Sequence, residues 1–334
     1  MKHTPYSTDV DKHEFTIEPY DIHELETIIK EINNIDSLHI HHPSGTLENT
    51  ILSLSTQDYT RIYNIKIYNH DRIVAKLELT SRLTRENKKE YNIYMFFFGL
   101  TQYNADTPTH TNLCISKRSG YETILSYLDK KKVSVRHTAI DISVDYTGLK
   151  YDDIDIIKEN GVYRVWDSVE IRQRNRYSVE RTVVDGKHAR DNRFNTQQVI
   201  LNVYDKSNKG GYGYNMVRVE YKLCKRGLDR SGVCKVDGRY NYILYKDVVM
   251  GMLQRYRVLS IEDRDSVMEG YASSIGDGDR GVVYRRRLKY SPVLLDDYEL
   301  RMDYDVIYNV IRSKLIYIMT ESEYEDYLSH INAT

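Results

Sequence analysis

A chain of 334 residues is long for one hydrophobic core and suits two modest domains or one elaborated one. Its 48 Lys and Arg stand against 49 Asp and Glu, a formal net charge of −1 that excludes a uniformly basic nucleic-acid binder. With 40% apolar residues, 5 Pro and 17 Gly, the chain is neither disordered nor collagen-like, and no run reaches the ~18 apolar residues of a membrane span.

Residues 1–13 are too polar for a signal peptide. Residues 21–34 set Ile22, Leu25, Ile28, Ile29 and Ile32 on one face and predict an amphipathic helix. From 38 to 79 the pattern is strand-like: 61–68 alternates, Asn69-His70-Asp71 reads as a hairpin turn, and 73–79 returns. A strand over 91–99, a helix over 121–129, a long strand over 133–146 and a short helix over 151–159 follow. The second half loosely repeats this plan. Strands are expected at 162–166 and 169–172, then at 199–204 and 216–223 on either side of the Gly-rich loop 209–214. A helix is expected over 245–256, and beyond Gly270 the chain reads as loop until two closing helices, the second with Thr320 and Glu323 in capping-box spacing. The fold class is therefore α+β, mainly antiparallel sheet with flanking helices. Residues 1–150 and 151–240 form the two halves of the core, and 241–334 a mostly helical C-terminal region.

The cysteines, Cys114, Cys224 and Cys234, are odd in number and lack metal-site spacing, as in a reduced, cytoplasmic protein without structural zinc. The 31 Tyr against 5 Phe and 1 Trp suit half-buried rings that keep a hydroxyl at the surface. Charge is uneven along the chain. Residues 1–80 carry 7 basic and 13 acidic side chains, residues 81–240 carry 29 and 20, and residues 241–334 carry 12 and 16. A basic middle between acidic flanks is what a local polyanion groove produces, although charge runs also fall on plain solvated faces. Its densest stretch holds Arg172, Arg174, Arg176, Arg181, Lys187, Arg190 and Arg193, and a second cluster holds Arg285, Arg286, Arg287 and Lys289. Interleaved Tyr177, Tyr284 and Tyr290 suit stacking on unpaired bases.

Three apolar strands each carry a carboxylate: Glu78 in 75–79, Asp141 in 138–142 and Glu220 in 217–221. Any one is ordinary if its face is solvated. Asp141, Ser143 and Asp145, however, share one face, and a polar face with several carboxylates needs a compensating charge, commonly a divalent cation. The apolar strand 199–204 ends in Tyr204, with Lys206 two residues on; a Lys beside a phenol favours phenolate and can hold a phosphate. In so Tyr-rich a chain the pair also arises by chance.

In this order the segments resemble rolling-circle replication initiators of filamentous phages and related plasmids. A Glu-bearing hairpin (65–68 and 75–81) precedes a helix (121–129) that leads into an Asp strand (139–145). A strand ending Tyr-x-Lys (199–206) is then followed by Arg-x-Glu and a basic Gly-Leu segment (218–220 and 225–228). The resemblance covers roughly residues 60–230. Ala139 stands where the family has an Arg, Ser-Gly is missing after the Glu strand, and the tract before Tyr204 is shortened. The resemblance implies origin nicking through a covalent 5′-phosphotyrosyl link and later rejoining. Tyr204 is then the nucleophile, steadied by Lys206. Asp141, Glu220 and Glu78 hold Mg²⁺ or Mn²⁺. Arg172, Arg174, Arg176, Arg181, Arg190, Arg193, Arg218, Arg285, Arg286 and Arg287 contact DNA. The partners are origin DNA and a host helicase and polymerase, because the chain lacks a phosphate-binding Gly-x-x-x-x-Gly-Lys loop, and no membrane is involved. A rival within the same function uses His39-Ile40-His41 as metal ligands and Tyr127 as nucleophile. Two readings of other classes are a non-enzymatic DNA-binding regulator and a metal-dependent nuclease that forms no covalent link.

Overall fold

The computed structural model describes residues 4–43, 45–103, 106–107, 112–158, 168–171, 180–183, 199–225, 228, 233–236, 239–253, 256–260, 299–314 and 316–319, with single positions 322, 323, 325, 326 and 329. The chain opens with β1 (Ser7–Ile17), α1 (Ile22–Asn33), β2 (Leu38–His41) and α2 (Leu47–Thr56). Next come β3 (Tyr59–Asn69), β4 (Arg72–Leu83), β5 (Lys89–Phe97), α3 (Asn112–Lys130) and β6 (Val135–Thr147). The second half contributes β7 (Ile154–Lys158), β8 (Ser168–Ile171), β9 (Glu180–Val183), β10 (Val199–Asp205), α4 (Lys206–Gly210) and β11 (Met216–Cys224).

Ten of these strands form one antiparallel sheet in the order β2-β3-β4-β5-β1-β6-β11-β10-β9-β8. The expected α+β class is what the protein adopts. Because β6 pairs with β1 on one side and β11 on the other, the sheet continues across residue 150.

Alternation sorts the central strands into two unlike faces. Ile140, Ile142, Val144 and Tyr146, with Val217, Val219, Tyr221 and Leu223, enter a core shared with Leu25 and Ile29 of α1, Ile124 and Leu128 of α3, and Ile307 and Ile311. The intervening residues put Asp141, Ser143, Asp145, Arg218, Glu220 and Tyr204 on the other face, and these are buried too. A polar face that is also covered must be satisfied from within.

Local sequence explains the supporting helices. Asp21 caps α1 by accepting from Glu24 N at 2.8 Å, and the Glu24 carboxylate accepts from Tyr20 N at 2.5 Å. Helix α3 lies so close to the β3–β4 hairpin that a Cβ on Gly120 would stand 2.7 Å from Val74 Cγ2. Helix α2 falls inside the stretch expected to be all strand; Thr46 caps it by accepting from Asn49 N at 3.2 Å.

A helix is expected over 151–159, but the described part, 151–158, does not form one. A single 3₁₀ turn, Tyr151–Asp153, leads into β7, where Ile154, Ile156 and Ile157 favour extended backbone. β7 pairs with the strand Tyr256–Ser260. The helix expected over 245–256 is shorter, Lys246–Leu253, and follows the strand Arg239–Tyr245. That strand pairs in parallel with Ile316–Met319, after the helix Tyr304–Arg312, so the C-terminal region is mixed. Residues 162–166 and 270–298, and Thr320, lie outside the described residues. No helix among the described residues is long and apolar enough to cross a membrane.

Candidate functional site

The strand that completes the polar face is β1, for which the sequence reading held no expectation. Its residues Asp9, Asp11, Lys12 and His13 are charged or polar on both faces, so apolar alternation is lost until Phe15 and Ile17. The register with β6 slips between Val10, opposite Ile142, and Lys12, opposite Asp141. That bulge at Asp11 keeps Val10 in the core while bringing Lys12 beside Asp141.

The buried centre is Arg218, at 0% exposure. Its guanidinium grips Asp145 through Nε at 2.6 Å and Nη2 at 2.7 Å, and its Nη1 lies 3.1 Å from Asp11 and 3.7 Å from Glu220. Asp145 also accepts from the Tyr103 hydroxyl. Asp11 accepts from Thr101 Oγ1 at 2.5 Å and from Thr101 N at 3.2 Å. The Tyr204 phenol donates to Glu220 Oε1 at 2.6 Å, and Lys209 lies 4.0 Å over the Tyr204 ring. Lys12 Nζ stands between two carboxylates, 3.2 Å from Asp141 Oδ2 and 3.7 Å from Glu220 Oε2.

Burial and these charges set the protonation states. Burial pushes the Asp141 carboxyl up to about 6, against the pull of Lys222 and Lys12. Burial also acts to raise Asp11, but Arg218, Lys206 and Lys12 outweigh it and hold Asp11 below the usual carboxylate range. Burial and the Arg218 charge lower Lys206 to about 8. The Lys12 ammonium is stabilised by Glu220, Asp141 and Asp11 against its burial, so its pKa is raised. Tyr204 is raised well above an ordinary phenol, by burial first and then, against Arg218, by Glu220.

Of the residues singled out by sequence, Tyr204, Asp141 and Glu220 come together here. Lys206 begins α4 rather than continuing the strand, yet it is also buried, with Nζ 3.5 Å from Thr101 O, the carbonyl that Arg218 Nη2 also reaches at 3.5 Å. Glu78 does not join them. It sits on β4, with β5 and β1 between it and β6, and Arg61 binds both its oxygens at 2.7 and 2.9 Å. Arg218, expected to contact DNA, is instead sealed inside the cluster with its charge matched by Asp145 and Asp11. Arg181 lies in β9; Arg172, Arg174, Arg176, Arg190, Arg193, Arg285, Arg286 and Arg287 lie outside the described residues.

The residues of the rival assignment lie apart from this cluster. Tyr127 donates to Glu31 at 2.8 Å, and the His39 ring stacks on Tyr68 with centroids 5.0 Å apart.

A divalent ion fits this donor set poorly. Asp141 Oδ1 is buried without a hydrogen-bond partner, which leaves one donor free. Glu220, however, holds Tyr204 through Oε1 and faces Lys12 with Oε2, and Lys12 bridges Asp141 as well. Among the described residues no three His, Cys, Asp or Glu are grouped to hold a metal. The carboxylates are neutralised by the protein's own cations.

No protein-family model matches the chain, and no curated protein matches it in sequence. Among solved structures it is similar to the rolling-circle replication initiator protein from Geobacillus stearothermophilus, at 10% identity and a TM-score of 0.31, over 94% of this chain and 98% of that one.

Proposed function

We propose that this chain nicks one DNA strand through Tyr204, remains joined to the 5′ phosphate, and later reverses the step to rejoin the strand. The observation that carries this reading is the 2.6 Å hydrogen bond from the Tyr204 phenol to Glu220, in the cluster that also holds Asp141 and Lys206. A phenol whose pKa is raised is a poor nucleophile until a base removes its proton, and Glu220 is in reach to do so. As Tyr204 Oη bonds to phosphorus, its proton passes to Glu220 and the bond from phosphorus to the 3′ oxygen breaks. Lys206, lowered to about 8 and so protonated yet acidic at neutral pH, supplies the proton that the 3′ oxygen takes up. The phosphodiester energy is kept in the phosphotyrosyl bond, so the reverse sequence reseals the strand. DNA binding, with the arginines of 172–193 and 285–287 on the backbone, belongs to the same proposal.

One observation favours a second reading, a DNA-binding regulator without chemistry: Tyr204 is only 2% exposed. Randomised single-stranded oligonucleotides labelled at the 3′ end separate the two. Nicking leaves label on the protein in a denaturing gel, and Tyr204→Phe removes it while gel-shift binding persists. Binding by the native chain without any labelled protein establishes the regulator.

A further inference from the structure

The polar face was expected to need a divalent cation, yet a lysine stands at that position. Lys12 Nζ lies within 3.7 Å of both Asp141 Oδ2 and Glu220 Oε2, two of the three carboxylates expected to hold the metal. The bulge at Asp11 aims it there. We propose that the Lys12 ammonium is the site's resident cation, taking the place of a divalent ion between Asp141 and Glu220 and meeting the scissile phosphate. This rests on the nicking function proposed above.

Three features support it. Lys12 and Tyr204 flank the same carboxylate, since Glu220 accepts from Tyr204 on one oxygen and faces Lys12 with the other. A cation there lies beside the nucleophile, where charge grows on the phosphoryl oxygens. Second, Lys12 is more open to an incoming strand than its charged neighbours: its side chain is 38% exposed, against 27% for Lys222, 3% for Asp141 and 0% for Arg218. Third, the neighbouring buried carboxylates have cations of their own, Arg218 on Asp11 and Asp145 and Arg118 on Asp9, which leaves Lys12 as the cation that spans Asp141 and Glu220. Lys12 forms no covalent bond to the substrate and exchanges no proton; it contributes charge and a hydrogen-bond donor to a non-bridging oxygen.

Mn²⁺ alone, followed by its EPR signal with the full-length chain, tests the placement without reference to activity. The native chain and Lys12→Arg leave the free-Mn²⁺ signal unchanged. Lys12→Met, which uncovers the two carboxylates at a partly exposed position, sequesters Mn²⁺, and adding Asp141→Asn abolishes that uptake. Mn²⁺ uptake by the native chain that is lost in Asp141→Asn overturns the proposal, and so does a Lys12→Met chain that binds none. With 3′-labelled oligonucleotides, the native chain forms its covalent product in EDTA, whereas Lys12→Met is about 10²–10³-fold slower there and is rescued by Mn²⁺. A native product that appears only with added metal contradicts the assignment of Lys12. Absence of product under every condition instead removes the nicking function and leaves the Mn²⁺ result to stand by itself.

Discussion

Replacing Arg218 by Met separates a buried structural cation from a DNA contact. The native guanidinium makes two hydrogen bonds to Asp145, at 2.6 and 2.7 Å, and lies 3.1 Å from Asp11, all at 0% exposure for Arg218 itself. Met roughly fills the stem but leaves Asp145 buried without its cation and Asp11 with only Lys206 and Lys12. Breaking a buried pair in this way costs about 3–5 kcal/mol, because the abandoned charge stays desolvated. With a urea slope of about 3 kcal/mol per molar, the midpoint followed by circular dichroism falls by ~1 M or more. Adding Asp145→Asn recovers much of the loss, since the introduced amide oxygen still accepts from Tyr103 and no charge is stranded there. An exposed arginine on a phosphate behaves otherwise: stability moves by no more than about 0.5 kcal/mol, and the salt dependence of DNA binding drops by about one ion. That pair of results for Arg218→Met refutes the buried assignment.

Gly120→Ala places a Cβ 2.7 Å from Val74 Cγ2 and 3.2 Å from Asn69 Cβ, and lowers stability by about 1–3 kcal/mol; an unchanged thermal midpoint contradicts the close packing of α3 on the hairpin. Acid sensitivity follows from His13, which is fully buried, 2.8 Å from His137 Nδ1, and held well below an ordinary imidazole by burial and the neighbouring His137 and Lys314. The unfolded chain takes up a proton at His13 near pH ~6.5 and the folded chain does not, so this contribution to stability is full above that pH. Below it, the His13 contribution falls by about 1.4 kcal/mol per unit, until the lowered folded value is reached. Urea midpoints at pH ~7.5 and ~5.5 bracket that transition. Asp141, whose folded carboxyl is raised to about 6, works in the opposite sense in the same window, so the His13 contribution is read as the change in slope that His13→Gln produces. Asp11, whose folded pKa is depressed, contributes stability that is full above the ordinary carboxylate range and is lost in more acid solution, below the His13 window.

Much of the fold was legible because its elements bury one face. Asp21 before a run of Ile and Leu announced α1, and the alternation from Arg61 onward announced β3 and its return strand. Tyr204, Asp141 and Glu220 were legible because a polar group inside an apolar strand stands out against its neighbours. The failures have the same root. β1 faces the core on one side and a charged cluster on the other, and its bulge breaks the period of two, so no periodic pattern marks Asp11 and Lys12 as part of a buried strand. Arg218 was assigned to DNA because an arginine carries no mark of burial; only its register opposite Asp145 reveals the partner that makes burial possible. Glu78 fitted the motif order, but no local pattern shows that β5 and β1 come between it and β6.

The central claim is that Tyr204 carries the DNA. Peptide mass spectrometry of the covalent product formed with 3′-labelled single-stranded oligonucleotides, after nuclease trimming, tests it directly. The account predicts a nucleotide mass on the peptide containing Tyr204 and on no other, with none formed by Tyr204→Phe. The same mass on the peptide containing Tyr127, or a labelled product that survives in Tyr204→Phe, contradicts it.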